Sequence, residues 1–598
     1  MGDSGDQPVM PRRDLHAERL HANSAQTALT TADPPFAVSA CPGAGKTRII
    51  VDRHMNRPVP ARKGRAIISF TRVAAATINR RCQGENRLDL VDHPHFIGTF
   101  DTFLWLHLVR PYLPTGRDWQ RLDSWRDAPA KLRAVTIGQT SIQLADVHFE
   151  PDIRGVYTAK VTGPAAYTEP PPGWEVAVQE RRKELSGRGY LTGAELRSAA
   201  CRHLRQYNDH IATMLTAKYD ELIVDEAQDC SATDLHILTQ LHEHGLPLIL
   251  VADPDQAIYD FRGAASADLH ELSDRLGTRE ITRNWRSTTT ICRLAATLRI
   301  SGRAADIAVA DHHDDDAPIL LYDAAAQDAA VDDFLTYAHT RGITADQCMI
   351  LAHSASTLPK KYAGPQQPPS NNNIALIWSV GILNDFPAAP AKTRLKARDI
   401  LARTILRWWY SEADMRTRTA ALHENALDPT AFERLIHRVR TAMPSLDDPA
   451  KDWLAAAARV LTENPPAPGL ERTSAKLITP AGKSATFARK LASLPHSHPT
   501  TTGLPRISTV HQVKGDEAEA VLVLLPKGKK GRGAAGNDKA AATVGEWLGA
   551  ENLSSEAIRV LYVAATRARR LLAIAVPAEF RPRTVEFLKR IEVPVQEC

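Results

Sequence analysis

The sequence contains no run of apolar residues approaching the length of a membrane-spanning helix, which needs about 18 or more, so a membrane-embedded class is excluded. The opening stretch, MGDSGDQPVMPRRD, lacks the apolar core of a signal peptide. The seven cysteines include no C-x-x-C pair and no even framework, which argues against a zinc site or a disulfide scaffold. We therefore expect a soluble cytoplasmic protein whose cysteines are reduced thiols.

A strong excess of charge of one sign is also absent, because the formal net charge is only +5 on 598 residues. This value neither requires nor excludes a nucleic-acid partner, since a local basic groove can exist within a nearly neutral chain. With 43% hydrophobic and 24% charged residues, the composition is that of a globular protein. At about 100–200 residues per domain, the length predicts roughly three to five domains.

Short, β-branched apolar runs occur in two clusters along the chain. The first cluster lies at 36–40, 65–70, 221–226 and 246–253. The second cluster lies at 318–323, 348–353, 506–511, 520–526 and 571–577. Because these runs are continuous rather than alternating, they fit strands buried on both faces, as in parallel sheets covered by helices. The sequence therefore predicts an α/β protein with two parallel sheets.

Each cluster is interrupted by a long stretch of different pattern, which we interpret as an inserted domain. The first interruption covers 105–204 and looks β-rich at 134–163. The second covers 359–499, contains Trp- and Arg-bearing helical patterns, and is bordered by polar, Pro-rich segments. The first sheet domain is thus expected at 15–104 and 205–282, and the second at 283–358 and 500–598.

The stretch SACPGAGKTR (39–48) follows an apolar run directly and opens a helical pattern, as a phosphate-binding loop does. Gly43 and Gly45 allow the backbone N–H groups to converge on phosphate oxygens. Lys46 would reach the β- and γ-phosphates, and Thr47 would ligate magnesium. The loop departs from the usual pattern in one place, where alanine replaces the first glycine. Its predicted residues are Ala40, Cys41, Pro42, Gly43, Ala44, Gly45, Lys46 and Thr47.

A phosphate loop needs a carboxylate partner, and LIVDEAQD (222–229) supplies one at the end of a predicted buried strand. Asp225 would complete the magnesium shell, and Glu226 would polarise the attacking water as general base. Together the two motifs predict hydrolysis of a nucleoside triphosphate, with Mg²⁺ as cofactor.

Further motifs follow in an order and at spacings typical of one family. They are SFTRVAAATINRR (69–81), GTFDTF (98–103), DEAQD (225–229), ADPDQAIYDFRGA (252–264), NWRS (284–287), TVHQVKGDEAEAV (509–521) and LYVAATRARR (561–570). In these motifs the chain resembles the UvrD/Rep/PcrA-like superfamily 1 DNA helicases. The resemblance implies two tandem RecA-like P-loop domains with parallel sheets, each carrying a mainly helical insertion. A β-rich first insertion would be a departure from the family.

The same resemblance implies that the nucleotide is ATP and assigns residues to its base and sugar. Gln26 would read the adenine edge, as its distance before the phosphate-loop lysine matches the family. Trp285 stands where the family often has tyrosine and would stack on adenine, while Arg48 could cover the other face. Glu517 would hold the ribose.

Three further residues are implied at the γ-phosphate. Gln256 would sense it, and Arg286 and Arg567 would reach it from the second sheet domain as arginine fingers. Charge neutralisation of this kind can raise the rate by about 10³–10⁵. Closure of the two domains would then be a condition for hydrolysis.

The resemblance also implies a path for single-stranded DNA. Tyr259 and Phe261 would be stacking platforms beside Phe70, and such stacking accepts any base sequence; core packing of this aromatic pair is the alternative. The remaining predicted DNA contacts are Arg72, Thr99 and His511. One departure weakens this path, because Asp101 stands where the family usually has histidine.

These features predict an ATP-dependent single-stranded-DNA translocase and helicase that binds single-strand/double-strand junctions. By resemblance it moves 3′ to 5′. One alternative is a DNA-stimulated ATPase that acts as a switch or strips proteins from DNA. Another is a helicase-like subunit that works with a separate nuclease in repair or phage defence. An inactive scaffold is disfavoured because the catalytic residues are present, and RNA is not excluded, since stacking platforms accept it.

Overall fold

The structure is a computed structural model, and its described residues are 14–70, 72–129, 132–161, 170–258, 266–353, 357–359, 372–384, 391–410, 422, 425, 427–445, 450–470, 505–513, 515–525, 539–549, 553 and 555–598. All seven cysteines lie within these ranges, and none forms a disulfide. Among the described helices, none is long and apolar enough to cross a membrane.

The first sheet has six strands, all parallel. They are β1 Phe36–Ala40, β2 Gly64–Ser69, β3 Phe96–Thr99, β10 Tyr219–Asp225, β11 Leu248–Ala252 and β12 Thr278–Ile281. Their spatial order is β12-β1-β11-β10-β2-β3. All four apolar runs of the first predicted cluster form strands here, which confirms that part of the prediction.

Helices cover both faces of the first sheet, which explains why its strands are continuously apolar. They are α1 Leu15–Thr31, α2 Lys46–Asn56, α3 Arg72–Gly84, α4 Phe100–Phe103, α7 Ala232–Glu243 and α8 Ser266–Leu276. The neighbours Ile67 and Ile68 of β2 point to opposite sides: Ile67 packs in the cluster that contains Ile50, and Ile68 in the cluster that contains Leu238.

The second sheet also has six strands, all parallel. They are β15 Ile319–Asp323, β16 Cys348–Ala352, β17 Arg506–Thr509, β18 Ala518–Leu524, β19 Ala568–Val576 and β20 Val595–Glu597. Their spatial order is β17-β16-β18-β19-β15-β20. Every run of the second predicted cluster is present, so two parallel sheets are confirmed.

The second sheet is likewise covered on both faces, by two separate apolar clusters. Its helices are α9 Thr289–Ala296, α10 Gln327–Thr340, α15 Lys539–Gly549, α16 Glu556–Ala565 and α17 Arg581–Arg590. A two-stranded ribbon of β13 (Arg283–Asn284) and β14 (Ile307–Ala308) lies between the two sheets in sequence.

The segment between β3 and β10 contains strands as well as helices. Its elements are β4 Gln120–Arg121, β5 Ala134–Ile137, β6 Thr140–Gln143, β7 Val147–Pro151, β8 Tyr157–Val161, α5 Trp174–Gly187, β9 Tyr190–Leu191 and α6 Gly193–Lys218. The pairs β5–β6 and β7–β8 are antiparallel hairpins. The β-rich pattern at 134–163 is thereby confirmed, and this insertion is of mixed structure rather than mainly helical.

The described part of the segment between β16 and β17 is helical. It comprises α11 Asn372–Asn384, α12 Ala391–Trp409, α13 Pro429–Ala442 and α14 Ala450–Glu463. These helices share one apolar core with four buried tryptophans, Trp378, Trp408, Trp409 and Trp453. The helical prediction for this stretch is confirmed, while the exact domain limits stay a prediction.

Candidate functional site

A cavity of about 600 Å³ lies where the carboxyl end of β1 meets the second sheet. Ligands of parallel α/β sheets bind at this edge, because the loops after the strands converge there. The first sheet supplies the loop after β1 and the residue that follows β10, and the second supplies the segments before α9, before β18 and at the start of β19. The lining residues are Pro42, Gly43, Gly45, Lys46, Thr47, Arg48, Thr77, Arg81, Glu226, Gln256, Trp285, Arg286, Arg506, Gly515, Asp516, Glu517, Arg567 and Arg569.

The loop between β1 and α2 is shaped by two glycines in the left-handed region, with φ of +72° at Gly43 and +82° at Gly45. A Cβ atom at Gly43 would lie 2.5 Å from both Arg286 Cβ and Asn284 Oδ1, so a larger residue cannot fit there. Since α2 begins at Lys46, its free N–H groups face the cavity, which is the arrangement that binds phosphate. The Lys46 Nζ lies 3.4 Å from the carbonyl oxygens of Ala40 and Cys41, distances too long for strong hydrogen bonds.

Three other residues of the loop are buried rather than exposed to the cavity. Ala40, Cys41 and Ala44 each have 0% exposure. Burial raises the pKa of the Cys41 thiol well above its ordinary value. These residues therefore shape the loop by packing, and the missing first glycine is replaced by an alanine without contact to solvent.

Gln26 of α1 is nearly buried and holds the phosphate loop from behind. Its Nε2 donates to the carbonyl oxygen of Ala44 at 2.7 Å. A Cβ atom on Gly45 would lie 3.0 Å from the same nitrogen, so the second glycine also permits this contact. The structure thus shows that Gln26 stabilises the phosphate loop through this hydrogen bond. Its role in reading adenine stays a prediction.

Asp225 ends β10 and has only 1% exposure. Burial, together with the nearby charge of Glu226, raises the pKa of Asp225 well above its ordinary range, although Lys46 opposes the shift. The backbone N–H of Glu226 donates to Asp225 Oδ1 at 3.0 Å. Glu226 itself has a left-handed φ of +57° and lines the cavity. The left-handed backbone at Glu226 turns the Glu226 carboxylate into the cavity, while the Asp225 carboxylate stays beneath the cavity floor.

Gln256 connects the first sheet to the second through its amide. Its Nε2 donates to Asp253 Oδ2 at 2.8 Å, and its Oε1 accepts from Arg567 Nη2 at 3.0 Å. Tyr562 of α16 also donates to Asp253 Oδ2, at 3.4 Å. Because the amide is held from both sides, its orientation is determined: the oxygen faces the arginine.

Arg567 is 2% exposed and reaches the cavity from the turn between α16 and β19. Besides Gln256, it donates to the carbonyl oxygens of Val563 and Asp516 at 3.0 and 3.2 Å. Burial, followed by the charge of Arg286, lowers the pKa of Arg567 to about 10. The side chain is therefore still a cation at neutral pH, held in place by two backbone carbonyls.

Arg286 and Glu517 contact each other rather than standing apart. Arg286 Nε donates to Glu517 Oε2 at 2.6 Å, and Nη1 donates to the carbonyl oxygen of Thr566 at 3.0 Å. His312 Nε2 donates to the carbonyl oxygen of Arg286 at 2.7 Å, a support that no sequence motif indicated. The predicted arginine finger and the predicted ribose ligand thus form one ion pair on the second sheet.

Trp285 is attached to the phosphate loop by its backbone, since its N–H donates to the carbonyl oxygen of Gly43 at 3.0 Å. Its indole Nε1 is buried and makes no hydrogen bond to a residue within the described ranges. Arg48, across the cavity, is an exposed residue 3.4 Å from Asp52. Both side chains predicted to cover adenine therefore line the cavity.

A second cavity, of about 430 Å³, lies between the carboxyl edge of the first sheet and the inserted hairpins. Phe70 and Thr99, two of the predicted DNA contacts, both line it. The Phe70 ring lies 5.5 Å from that of Phe100, and Thr99 caps α4 by accepting from the N–H of Thr102 at 3.3 Å. These two predicted residues are brought together on one edge.

The other predicted DNA contacts are elsewhere or not described. His511 lies in the short helical turn after β17, 3.9 Å from Glu556, and does not line the second cavity. Tyr259 and Phe261 lie outside the described residues. Arg72 begins α3, but its side chain is not described.

The unusual Asp101 has a cationic partner. Arg197 Nη1 donates to Asp101 Oδ1 at 2.9 Å, and Arg197 Nε donates to Asp234 Oδ1 at 2.7 Å. The two carboxylates raise the pKa of Arg197 against the effect of its burial. The negative charge that weakened the predicted DNA path is therefore paired with an arginine of α6, which Asp101 shares with Asp234.

Comparison with known proteins connects this arrangement to one family. Residues 158–276, from β8 to α8, match the model of the UvrD/REP helicase N-terminal domain. The resemblance to UvrD/Rep helicases is confirmed. These matched residues include Asp225, Glu226 and Gln256, so they contain the part of the cavity contributed by the ends of β10 and β11.

Two curated relatives carry helicase-related names. A probable DNA helicase II homolog of Mycoplasma pneumoniae is 28% identical over 151 residues, which is 24% of this chain and 19% of that protein. The RecBCD enzyme subunit RecB of Haemophilus influenzae is 34% identical over 84 residues, 13% of this chain and 7% of that protein. The alignments thus span less than a fifth of either relative.

Proposed function

We propose that the protein is an ATP-dependent single-stranded-DNA translocase and 3′–5′ DNA helicase. In this account its two sheets are tandem RecA-like domains, at 15–104 with 205–282 and at 283–358 with 500–598, and the segments 105–204 and 359–499 are insertions. The direction of movement follows from the UvrD/Rep resemblance alone. A cytoplasmic, nucleoid-associated location would follow from the DNA substrate.

The observation that carries the proposal is the charge and composition of the larger cavity. Its lining has seven cationic side chains and three carboxylates. The cations are Lys46, Arg48, Arg81, Arg286, Arg506, Arg567 and Arg569, and the carboxylates are Glu226, Asp516 and Glu517. An excess of positive charge beside the N-terminus of α2 suits a triphosphate, and the indole of Trp285 suits a flat base.

The donor set at the loop also fits a magnesium ion. The Thr47 hydroxyl and the Asp225 carboxylate would supply oxygen ligands, which Mg²⁺ prefers. Asp225 is buried with a raised pKa, so a bound cation would offset the desolvation of its charge. When bound, Mg²⁺ would neutralise phosphate charge during hydrolysis.

Hydrolysis would then depend on residues from both sheets. Glu226 would accept the proton of the attacking water, and Gln256 would orient that water or the γ-phosphate. Arg567 is preorganised by backbone carbonyls to meet developing charge, whereas Arg286 must exchange Glu517 for phosphate. Because these groups come from both sheets, catalysis requires the cleft to be closed.

Movement on DNA would use the adjoining carboxyl edge. Phe70 and Thr99 line the second cavity there, and Tyr259 and Phe261 follow Gln256 by three and five residues in sequence. A change at Gln256 on hydrolysis would therefore reach the predicted stacking platforms within a few residues. Stacking contributes about 1–3 kcal/mol per base without sequence preference, which suits a motor that passes every base.

The proposal can be tested by strand displacement on duplexes with a single-stranded tail. A 3′-tailed duplex should be unwound in the presence of ATP and Mg²⁺, and a 5′-tailed or blunt duplex should not. The Lys46→Ala variant, which lacks the phosphate-loop ammonium, should displace neither, while Lys183→Ala on the exposed face of α5 should behave as the unmodified protein. Unwinding by Lys46→Ala at the normal rate would refute the assignment of the loop.

A second candidate is a helicase-like subunit acting with a separate nuclease. It is favoured by the aligned segment shared with RecB, whose name describes it as a subunit of the RecBCD enzyme. Under this alternative the isolated chain would hydrolyse ATP with little unwinding, and unwinding would appear on addition of a nuclease that co-purifies with it.

A further inference from the structure

The segment 299–306 lies between α9, a helix that packs on the second sheet, and β14. It also contacts the first sheet, and we refer to it as the arginine loop. It follows α9, whose Ile291, Leu294 and Ala295 lie in the second sheet's apolar core. At its centre the N–H and Oγ of Ser301 donate to Asp255 at 2.9 and 2.8 Å. Asp255 lies in the loop after β11, one residue before Gln256.

Arg303 of the arginine loop reaches into the first sheet. Its Nη1 donates to Ser39 Oγ of β1 at 3.2 Å. Its Nη2 lies 3.8 Å from Asp253 Oδ1 and 3.9 Å from Asp255 Oδ2, and its side chain is 14% exposed. The guanidinium thus lies between the strand that leads into the phosphate loop and the two carboxylates that precede Gln256.

No other cation can replace Arg303 at Asp253 within the arginine loop. Arg299, the other arginine, is fully buried and pairs with Asp306 through Nη2. It lies 3.8 Å from Asp255 and donates its remaining N–H groups to the Ala304 carbonyl and the Tyr562 hydroxyl. Burial lowers the pKa of Arg303, but the charge of Asp253 outweighs this effect and the pKa lies above its ordinary value.

Asp253 is the residue through which Arg303 can act on the reaction. It is 0% exposed, and one of its oxygens accepts from Gln256 Nε2 at 2.8 Å. A buried carboxylate without a cation takes up a proton or rearranges. Either change would weaken the bond that keeps the Gln256 oxygen turned toward Arg567.

We propose that Arg303 is a positioning residue for ATP hydrolysis, which neutralises Asp253 and thereby keeps Gln256 oriented toward Arg567. The inference rests on the proposed ATPase function. Arg303 lines no part of the nucleotide cavity, so its effect on the reaction must pass through the residues it contacts, of which Asp253 is the one bonded to Gln256. Because it belongs to the second sheet's layer, it makes the orientation of Gln256 depend on closure of that layer onto the first sheet.

The first test compares Arg303→Met with the unmodified protein by steady-state kinetics and by binding of a fluorescent ATP analogue. The kcat should fall by about 100-fold, as expected when a reacting group is displaced by about 1 Å. KM and the Kd of the analogue should change less than threefold. Arg303→Lys, which keeps the charge, should recover much of the kcat, and Arg293→Met, an exposed residue of α9, should leave it unchanged.

A purely structural role predicts a different pattern, in which kcat and analogue binding fall together with the thermal midpoint and lysine gives no rescue. That result would overturn the proposal. A double-mutant cycle gives an independent test: if Arg303 acts through Gln256, combining Arg303→Met with Gln256→Ala should lower kcat no further than Gln256→Ala alone. Additive losses would also overturn it.

The outcome is separable from the fate of the proposed function. If the unmodified protein hydrolyses ATP and Arg303→Met equals it, the positioning role is wrong and the ATPase assignment stands. If the unmodified protein shows no hydrolysis with or without DNA, the ATPase assignment itself fails.

Discussion

Asp225 and Arg567 are both almost fully buried at the nucleotide cleft, and burial works against the charged form of each. For Asp225 the neighbouring Glu226 adds to the effect of burial, and the cost of ionisation is offset only in part by Lys46. Arg567 keeps its charge, because its pKa of about 10 lies well above neutral pH. A bound cation would offset the buried charge of Asp225, and a polyanionic ligand would suit the charge of Arg567.

The raised pKa of Asp225 predicts a pH-dependent stability of the protein without nucleotide or divalent cations. The folded state binds this proton more tightly than the unfolded state, so stability falls as pH rises above the unfolded pKa of about 3.9, toward the raised folded value. Asp225→Asn removes this loss, which is about 1.4 kcal/mol for each unit by which the pKa is raised.

We therefore expect the thermal midpoint of Asp225→Asn to exceed that of the unmodified protein at pH 8, with the gap closing toward pH 4. Asp209→Asn, at an exposed position of α6, is the control and should show no such gap. A midpoint of Asp225→Asn below the unmodified value at every pH would mean that the carboxylate is stabilising.

Removal of Arg567 should separate binding from catalysis. Arg567→Ala is expected to leave the affinity for a fluorescent ATP analogue largely intact, while hydrolysis falls by about 10³-fold, the effect of losing an arginine finger. The control is Arg583→Ala, at an exposed position of α17. If binding and hydrolysis fell equally, Arg567 would be a structural residue that holds the turn before β19.

At the residue scale, the sequence motifs predicted residues that the fold brings together around one cavity, because each motif is local in the chain. Lys46, Glu226, Gln256 and Arg567 all line the cavity as expected. The supporting residues were missed, since His312 contacts Arg286 and Arg303 contacts Asp253 only through the fold. No short pattern marks a contact between residues brought together by packing.

The central element of the site is the phosphate loop, which packs directly against the segment before α9. The N–H of Trp285 donates to the carbonyl oxygen of Gly43, and the Arg286 Cβ lies where a Gly43 side chain would be. The loop is thus shaped both for phosphate and for contact with the second sheet's layer. This double constraint explains why a glycine with positive φ is needed at that position.

Gly43→Ala should therefore abolish hydrolysis and lower the thermal midpoint. The left-handed backbone alone costs about 1–2 kcal/mol for an alanine, and the contact at 2.5 Å adds displacement of 284–286. Gly138→Ala is a matched control, because Gly138 has φ of +59° with nothing within 4 Å of its Cβ position. Equal effects of the two substitutions would show that strain, not the contact, limits the loop.

Strands were predictable from the sequence where both of their faces are buried under helices. Nine apolar runs formed the nine strands expected, and all but the edge strand β17 lie inside a sheet, where strands covered on both faces have no polar alternation. The strands β12 and β20 were missed, since each lies at a sheet edge and exposes most of its residues. Their positions follow from pairing with β1 and β15, which no local pattern reports.

On the scale of the whole molecule, the proposed function requires coupling between two cavities. The nucleotide cavity lies between the sheets, and the second cavity lies beside the first sheet and the inserted hairpins. Gln256 is bonded to Arg567 across the cleft, and the predicted stacking platforms follow it in sequence. The adjacency of Gln256 and the predicted stacking platforms was predictable from the sequence, whereas the contact between Gln256 and Arg567 required the fold.

This coupling predicts that a substitution in the DNA path changes the response to DNA without changing basal hydrolysis. In the double variant Tyr259→Ala with Phe261→Ala, two stacking platforms are removed, each worth about 1–3 kcal/mol per base. ATP hydrolysis without DNA should be unchanged, and stimulation by single-stranded DNA should be largely lost across a titration of oligonucleotide. Unaltered stimulation would favour core packing of the aromatic pair.

The most direct measurement is steady-state ATP hydrolysis with and without a single-stranded DNA oligonucleotide, at low and moderate salt. The proposed function requires Mg²⁺-dependent hydrolysis that DNA stimulates strongly, with a DNA affinity that decreases as salt rises because phosphate contacts release counterions. Hydrolysis that proceeds at the same rate with and without DNA would contradict the proposed coupling, and a nucleotide switch or a partner-activated subunit would then be the better description.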